Sequence, residues 1–299
     1  MDDMSSAKLS PRAGVIGWPI KHSRSPLIHR HWLKTYGRDG SYERHAVQPE
    51  DANAFFQSFA DFGWVGCNVT VPHKETAYVC AELRDASAKA VQAANTLWLD
   101  NGRLCAANTD TYGFMEHLTQ SQSHWRETTE NVLILGAGGA SRAIAYGFAE
   151  AGIANVNIAN RTTARAIGLV EALGTKNLKP APWDDRQKLA RSADIIVNTT
   201  TLGMSTGNTD AEADDQAFPL GLDLSQRTSP SPAIVCDIVY VPLETPLLAH
   251  AKASGHKTVD GLGMLLHQAV PGFEKWFGIR PDVTPELRDI ILADLETPP

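Results

Sequence analysis

Between Val132 and Asn160 the chain reads VLILGAGGASRAIAYGFAEAGIANVNIAN. A short apolar run rich in branched residues ends at Gly136, two more glycines follow at Gly138 and Gly139, and an alanine-rich stretch of helical period leads to a second apolar run. Strand, tight turn, helix and second strand in that order form a β–α–β unit, and two strands joined by such a crossover lie parallel in one sheet. Glycine at the turn lets the backbone take conformations and close approaches denied to other residues. A helix beginning near Ala140 aims its unsatisfied N–H groups at whatever sits above the turn. Together these features suit the pyrophosphate of a dinucleotide, with Gly136, Ala137, Gly138, Gly139 and Ala140 as the cradle. The pattern is a variant one, because Ser141 stands where a third glycine is usual.

The end of the second strand decides between cofactors. An NAD site calls for Asp or Glu about 20 residues after the turn, bonded to the ribose 2′-hydroxyl. This chain has Asn160, Arg161, Thr162 and Thr163 there, with Arg165 one turn along. Guanidinium forks match phosphate geometry, so two arginines flanked by hydroxyls, with no carboxylate to compete, favour the 2′-phosphate of NADP.

The β–α rhythm continues through DIIVN, AIVCDI and KTVDG, which predicts a parallel sheet with helices on both faces, an α/β fold. Before it, RAGVIG (12–17) and WVGCNVT (64–70) read as strands, and NTLWL and RLCAAN flank an Asn-Gly turn typical of a hairpin. The polar interval 116–130 reads as a domain junction, and 203–232, acidic and rich in Gly, Pro and Ser, as a long functional or mobile loop. A helix kinked at Pro271 is expected over 263–278, and a last helix after Thr284-Pro285-Glu286. With 299 residues there is room for two cores.

A net charge of -7 offers no basic footprint for nucleic acid, and no run reaches the length of a membrane span. The opening MDDMSSAKLS has no apolar core, so no signal peptide is expected. Four cysteines without CxxC spacing point to reduced thiols and a cytoplasmic protein. His29 and His31 are two apart on a predicted helix and face different ways, so no metal site is expected there.

Two stretches of the first half carry polar residues at element ends. In GWPIKHSRSPLIH (17–29), Ser25 reads as an N-cap with Pro26 as the first helical residue, and Ser23 can present a second hydroxyl to the same helix mouth, a seat for a carboxylate. In NVTVPHKETA (68–77), Pro72 reads as the first residue of a helix, which puts Lys74 in the first turn. That is the unfavourable end for a cation, by roughly 0.3–1 kcal/mol. Breaches of a local rule gather at functional sites. Asn68, Thr70, Asn95 and Asp110 add short polar side chains at strand ends, a set suited to a hydroxylated ring.

Taken in order, GVIGWPIKHSRSPLIH, GCNVTVPHKETA, AANTLW, NTDTYGF, ILGAGGASRA, NRTTARA and DGLGMLLHQA resemble the shikimate dehydrogenase family from about residue 14 to about 276. The resemblance implies an NADP-dependent oxidoreductase of aromatic amino-acid biosynthesis that interconverts 3-dehydroshikimate and shikimate. It implies that Ser23 and Ser25 hold the substrate carboxylate and that Asn68, Thr70 and Asn95 face the ring hydroxyls. Lys74 and Asp110 are then the catalytic pair, Tyr240 and Gln268 touch substrate, and Ile238, Gly261 and Met264 lie on the cofactor. One departure is His73, where many members carry an aromatic residue such as Phe.

The expected organisation is a substrate-binding α/β domain over 1–112, completed by 263–299, with a Rossmann NADP-binding domain inserted over 113–262. The partners expected are a small-molecule substrate and no nucleic acid or membrane, for a monomer or homodimer. A quinate or quinate/shikimate dehydrogenase is the alternative within the same frame. A non-catalytic shikimate- or quinate-binding regulator is the alternative from another class; the presence of both Lys74 and Asp110 argues against it.

Overall fold

The computed structural model describes residues 10–204 and 220–296. Two compact units divide at Thr109/Asp110 and Gln268/Ala269.

In the first unit the chain runs through β1 (Arg12–Gly17), α1 (Ser25–Thr35), β2 (Ser41–Ala46), α2 (Ala52–Gln57), a 3-10 turn (Phe59–Phe62), β3 (Gly66–Val69), α3 (Lys74–Cys80), β4 (Leu83–Arg84), α4 (Ala86–Val91), β5 (Thr96–Asp100) and β6 (Arg103–Ala107). These strands form one mixed sheet in the order β2-β1-β3-β5-β6-β4. β1 pairs in parallel with β2 and β3, whereas β5 runs antiparallel to both β3 and β6. The β5–β6 hairpin forms at the expected place, and Asn101 (φ 50) and Gly102 (φ 78) take the left-handed conformations that a tight primed turn demands. Phe55, Phe56, Phe59, Trp64, Cys67, Val69 and Leu97 fill one face of this sheet.

The second unit contains α5 (Asp110–Ser121), α6 (Trp125–Thr128), β7 (Asn131–Leu135), α7 (Gly139–Glu150), β8 (Asn155–Asn160), α8 (Thr163–Leu173), β9 (Leu178–Pro182), α9 (Arg186–Ala190), β10 (Ile195–Asn198), β11 (Ile234–Asp237), α10 (Pro246–Ala253), β12 (Lys257–Val259) and α11 (Leu262–His267). All of its strand pairs are parallel, in the order β12-β11-β10-β7-β8-β9. Counted from β7 this is the doubly wound dinucleotide-binding order, with its switch point between β7 and β10. Side chains alternate faces along a strand. Val132, Ile134, Val156, Ile158, Ile195 and Val197 therefore join Ile144, Phe148 and Leu169 in one core, while Leu133, Leu135, Ile196 and Val235 join Leu247, Leu248 and Ala251 in another. A strand buried on both faces must be apolar throughout, which is why VLIL and IIV lack alternation.

The interval 116–130 is no junction. It is the second half of α5 followed by α6, and its few apolar residues, Leu118 and Trp125, are buried in the core of the second unit. A helix needs only one apolar stripe, so a polar composition hid it. α5 and α11 both lie wholly in the second unit, so the compact units differ by a few residues from the divides expected at 112/113 and 262/263. Residues 205–219 of the 203–232 stretch lie outside the described residues. The part that follows is ordered: Leu220, Leu222 and Leu224 are buried, and Gln187 exchanges hydrogen bonds with the backbone of Asp223.

The chain then re-enters the first unit as α12 (Val270–Phe277) and α13 (Pro285–Glu296). Residues 263–278 are thus two helices and not one kinked helix; Pro271 lies in the first turn of α12, where its missing N–H costs nothing. Trp276 donates from Nε1 to the carbonyl of Leu97 at 2.9 Å, and Gly66 is required beneath it, since a Cβ there would lie 2.3 Å from Leu97 O. The Thr284 hydroxyl caps α13 through Leu287 N, as its sequence predicts. Strands β2, β4 and β9 carry no clear alternation and are absent from the sequence reading; β9, with two prolines, is confined to an edge. No helix among the described residues is long and apolar enough to cross a membrane. All four cysteines are free.

Candidate active site

In the first unit the polar candidates gather where β1, β3 and β5 meet the mouths of α1 and α3. Ser25 is the first residue of α1 and not its N-cap; Arg24 holds the cap position without a side-chain bond. The expected pairing survives this shift, because Ser23 Oγ lies 3.4 Å from both Ser25 Oγ and Ser25 N. Arg44, from β2, fixes the turn by donating to Ser23 O at 2.8 and 2.6 Å.

Pro72 is likewise not the first helical residue. His73 N donates to Thr70 O at 3.0 Å, which closes a turn over Val71 and Pro72 and postpones the helix to Lys74. Lys74 therefore occupies the very first helical position, a more extreme placement than expected. Its neighbour His73 is buried, and its Nε2 sits 2.7 Å from Val47 O. A carbonyl only accepts, so Nε2 carries the proton, and the imidazole ties the start of α3 to the segment after β2. His73 is thus an interior side chain held by one hydrogen bond. Thr70 and Lys74 are both partly exposed.

Behind them runs a buried polar network. Tyr42 donates its hydroxyl to Asn68 Oδ1 at 2.6 Å. Asn68 Nδ2 reaches Asn95 O at 3.2 Å and Thr96 Oγ1 at 3.3 Å. Asn95 Oδ1 accepts from Thr109 N at 2.8 Å and faces the hydroxyls of Thr109 and Thr96, each at 3.0 Å. Asn68 and Asn95 are thus brought together. Tyr42, Thr96 and Thr109 were missed from sequence: the threonines flank singled-out residues, but Tyr42, in SYERHA, carries no motif signal.

In the second unit the turn after β7 holds one buried glycine and two open ones. Gly136 has φ 110, and a Cβ there would sit 2.6 Å from Thr199 Oγ1. Gly138 and Gly139 are exposed, and a Cβ on either would meet nothing within 4 Å. The fold itself therefore asks for glycine at 136 only; at 138 and 139 open space leaves the protein backbone accessible. Ser141 is buried and donates to Gly136 O at 2.5 Å, so the variant residue braces the turn from below. At the end of β8, Asn160 Nδ2 donates to Thr162 O at 2.9 Å, and Arg161, Thr162 and Arg165 are exposed. This set fits NADP: two accessible guanidinium groups, hydroxyls and no acid at the strand end.

Ile238 and Gly261 also meet, since a Cβ on Gly261 would lie 2.3 Å from Ile238 O. Met264 and Gln268 follow on and after α11, which packs on α5 at Gly113; a Cβ on Gly113 would lie 2.8 Å from Gln268 N. Asp110 starts α5, one turn before Gly113, and Tyr240 lies partly exposed after β11.

A second network, at the ends of β10 and β11, was not read from sequence. Asp237 is buried and accepts from Asn198 Nδ2 at 2.9 Å, Val239 N at 3.0 Å and Thr245 Oγ1 at 2.7 Å. Burial pushes its carboxyl up to about 6, against the lowering effect of these three donors.

Comparison with known proteins agrees with this geometry. Residues 15–97 match the shikimate dehydrogenase substrate binding domain, 118–208 the shikimate/quinate 5-dehydrogenase family, and 261–285 the shikimate 5′-dehydrogenase C-terminal domain. The shikimate dehydrogenase (NADP(+)) of Brucella abortus (strain S19) is 51% identical over 295 residues, 99% of this chain and 98% of that protein. The structure of shikimate 5-dehydrogenase from Thermus thermophilus in complex with NADP(H) and shikimate superposes with a TM-score of 0.79 at 33% identity, covering 95% of this chain and 99% of that one. Quinate dehydrogenase from Corynebacterium glutamicum in complex with NAD gives 0.81 at 28% identity, with 95% and 99% covered. With its α/β architecture and these relatives, this chain belongs to the shikimate dehydrogenase family.

Proposed function

We propose that this protein catalyses the reversible NADPH-dependent reduction of 3-dehydroshikimate to shikimate, a step of aromatic amino-acid biosynthesis. The observation that carries the reading is the combination, in one chain, of the buried Asn68–Asn95 network beside the Lys74 helix start with an NADP-type end to β8. NADPH, when bound, supplies the hydride.

The side chains do the rest. The paired hydroxyls of Ser23 and Ser25 receive the substrate carboxylate at the mouth of α1. Asn68, Thr70 and Asn95 face the ring hydroxyls. Lys74, as an ammonium, polarises the ketone oxygen and gives it a proton as the carbon is reduced; in the reverse direction the amine takes that proton back. Asp110 is the other member of the catalytic pair, and Tyr240 and Gln268 complete the contacts with substrate. Gly136, Ala137, Gly138, Gly139 and Ala140 hold the pyrophosphate, Asn160, Arg161, Thr162 and Arg165 the 2′-phosphate, and Ile238, Gly261 and Met264 the nicotinamide end.

The four free cysteines fit a reducing compartment, the cytoplasm, and the protein acts there as a monomer or homodimer. A quinate dehydrogenase using NAD is the less favoured reading, because Asn160 and the exposed Arg161 and Arg165 leave no acid for a ribose 2′-hydroxyl. The test is direct: purified protein with 3-dehydroshikimate and NADPH should consume both in equal amounts and form shikimate. Consumption of neither by folded protein would overturn the assignment.

A further inference from the structure

α5, which begins at Asp110, is held on two faces. Residues four apart on a helix are neighbours, so Thr111 and Met115 share one face, and Gly113 and His117 share another. The first face lies on α7: a Cβ added to Gly147 would sit 2.9 Å from Met115 Cγ and 3.2 Å from Thr111 Cγ2. The second lies on α11, where a Cβ on Gly113 would sit 2.7 Å from Met264 O and a Cβ on Gly263 would overlap the His117 ring. Glycine inside a helix weakens it, so Gly113 and Gly147 give up some helix stability to bring their helices this close.

Across the first of these contacts runs a polar bond. Thr111 Oγ1 donates to Ala143 O at 2.9 Å. A carbonyl only accepts, so the hydroxyl is the donor. Threonine in a helix commonly gives its proton to water or to the carbonyl one turn back. This one reaches instead to a helix 32 residues further along the chain. Ala143 and Gly147 are one turn apart on α7, and the missing side chain at Gly147 lets the hydroxyl come up to that carbonyl.

α7 starts at Gly139, one turn before Ala143, in the stretch assigned above to the pyrophosphate. Asp110 stands directly before Thr111 at the start of α5. We propose that Thr111 is a positioning residue for the reaction: by tying the first turn of α5 to α7 it fixes Asp110 relative to the cofactor whose phosphates α7 holds. The proposal rests on the roles given above to Asp110 and to the glycine turn. Thr111 acts through Asp110, so its contribution falls on turnover and not on binding.

The experiment measures initial rates with shikimate and NADP⁺ for wild type, for Thr111→Val, which keeps the shape and removes the donor, and for Thr111→Ser, which keeps the donor. Each is made with Asp110 intact and with Asp110→Asn. With Asp110 intact, Thr111→Val should lower kcat about tenfold, the reach of one hydrogen bond, and leave both KM values within about twofold. Thr111→Ser should hold kcat within about threefold of wild type. Combined with Asp110→Asn, Thr111→Val should change kcat by less than about twofold, because the group being positioned is gone. Thr111→Ala removes the donor without the bulk of valine and should match Thr111→Val; melting curves like that of wild type identify the folded variants. An unchanged kcat in Thr111→Val and Thr111→Ala overturns the role of Thr111 and leaves the activity standing. So does a Thr111→Ser no better than valine, or an equal loss on top of Asp110→Asn. Wild-type kcat in Asp110→Asn, or no shikimate turnover by wild type, overturns the functional reading and this inference with it.

Discussion

The hydroxyl of Thr245 donates to Oδ2 of Asp237 at 2.7 Å, and both residues are buried. Through Asn198 and Val239 the same carboxyl ties the loop after β10 to the loop after β11, where Ile238 and Tyr240 lie. A carboxyl pushed up to about 6 holds its proton longer in the folded than in the unfolded chain. Its contribution to stability is therefore present in full below about pH 4 and is lost as pH rises through about 6, a change of roughly 3 kcal/mol at most. Asp237→Asn keeps the acceptor for Asn198 and Val239 and cannot ionise. Its stability relative to wild type, from urea melts at several pH values, should climb between about pH 4 and 6.5 and then level off. A difference independent of pH would contradict the account.

His29 behaves in the opposite sense. It is caged by Trp32, Tyr42, Phe273 and Trp276, and burial pulls its imidazole down to about 3. Neither ring nitrogen has a partner at hydrogen-bonding geometry among the described residues, although Asn68 is the polar side chain beside it. The unfolded chain takes up the proton near pH 6.5 and the folded chain does not, so stability is lost as pH falls below about 6.5, by up to about 1.4 kcal/mol per pH unit. His267, held near 4 by burial and by His117, adds to the same trend. His29→Phe should flatten the fall in melting temperature between about pH 6.5 and 4.5. A slope equal to that of wild type would show that His29 is protonated in the fold.

The glycine turn separates a structural from a ligand-dictated glycine. Gly136→Ala forces a positive φ and a close contact with Thr199, so it should cost about 1–3 kcal/mol in thermal or urea melts. Gly138→Ala, with φ -96 and open space around it, should leave stability within about 0.5 kcal/mol. It should nonetheless raise the KM for NADP⁺ about tenfold, because the added methyl fills space the pyrophosphate needs. Undiminished cofactor affinity in Gly138→Ala would remove the cradle from this turn.

Lys74→Ala removes the proposed proton donor. Turnover should fall by about 10²–10⁴ while the KM for shikimate changes little, and Asp110→Asn should lower kcat without unfolding the protein. Steady-state kinetics beside melting curves measure both. Near-wild-type kcat in Lys74→Ala would end the assignment of Lys74.

How far these features were legible follows from where their signals lie. The second unit was readable because a strand buried on both faces, a glycine turn and a helix are all local in sequence. VLIL, the turn at Gly136 and the end of β8 therefore fell where expected. Helix starts at Ser25 and Pro72 were each misplaced, since a turn closed by His73 N and Thr70 O, or a cap made by Arg24, is settled by backbone geometry and not by propensity. The amide network was half visible: Asn68 and Asn95 stand in recognisable motifs, whereas Tyr42 reaches them from an edge strand 26 residues away. Asp237 and Thr245 were invisible for the same reason, as polar groups whose meaning comes only from being buried together.

The central claim is tested most directly by initial rates of nicotinamide reduction for four pairs, shikimate or quinate with NADP⁺ or NAD⁺. The account predicts a strong preference for shikimate with NADP⁺, with NAD⁺ gaining ground when Arg161 is replaced by alanine. Comparable turnover of quinate with NAD⁺ by wild type would contradict it and assign the chain to the quinate branch of the family.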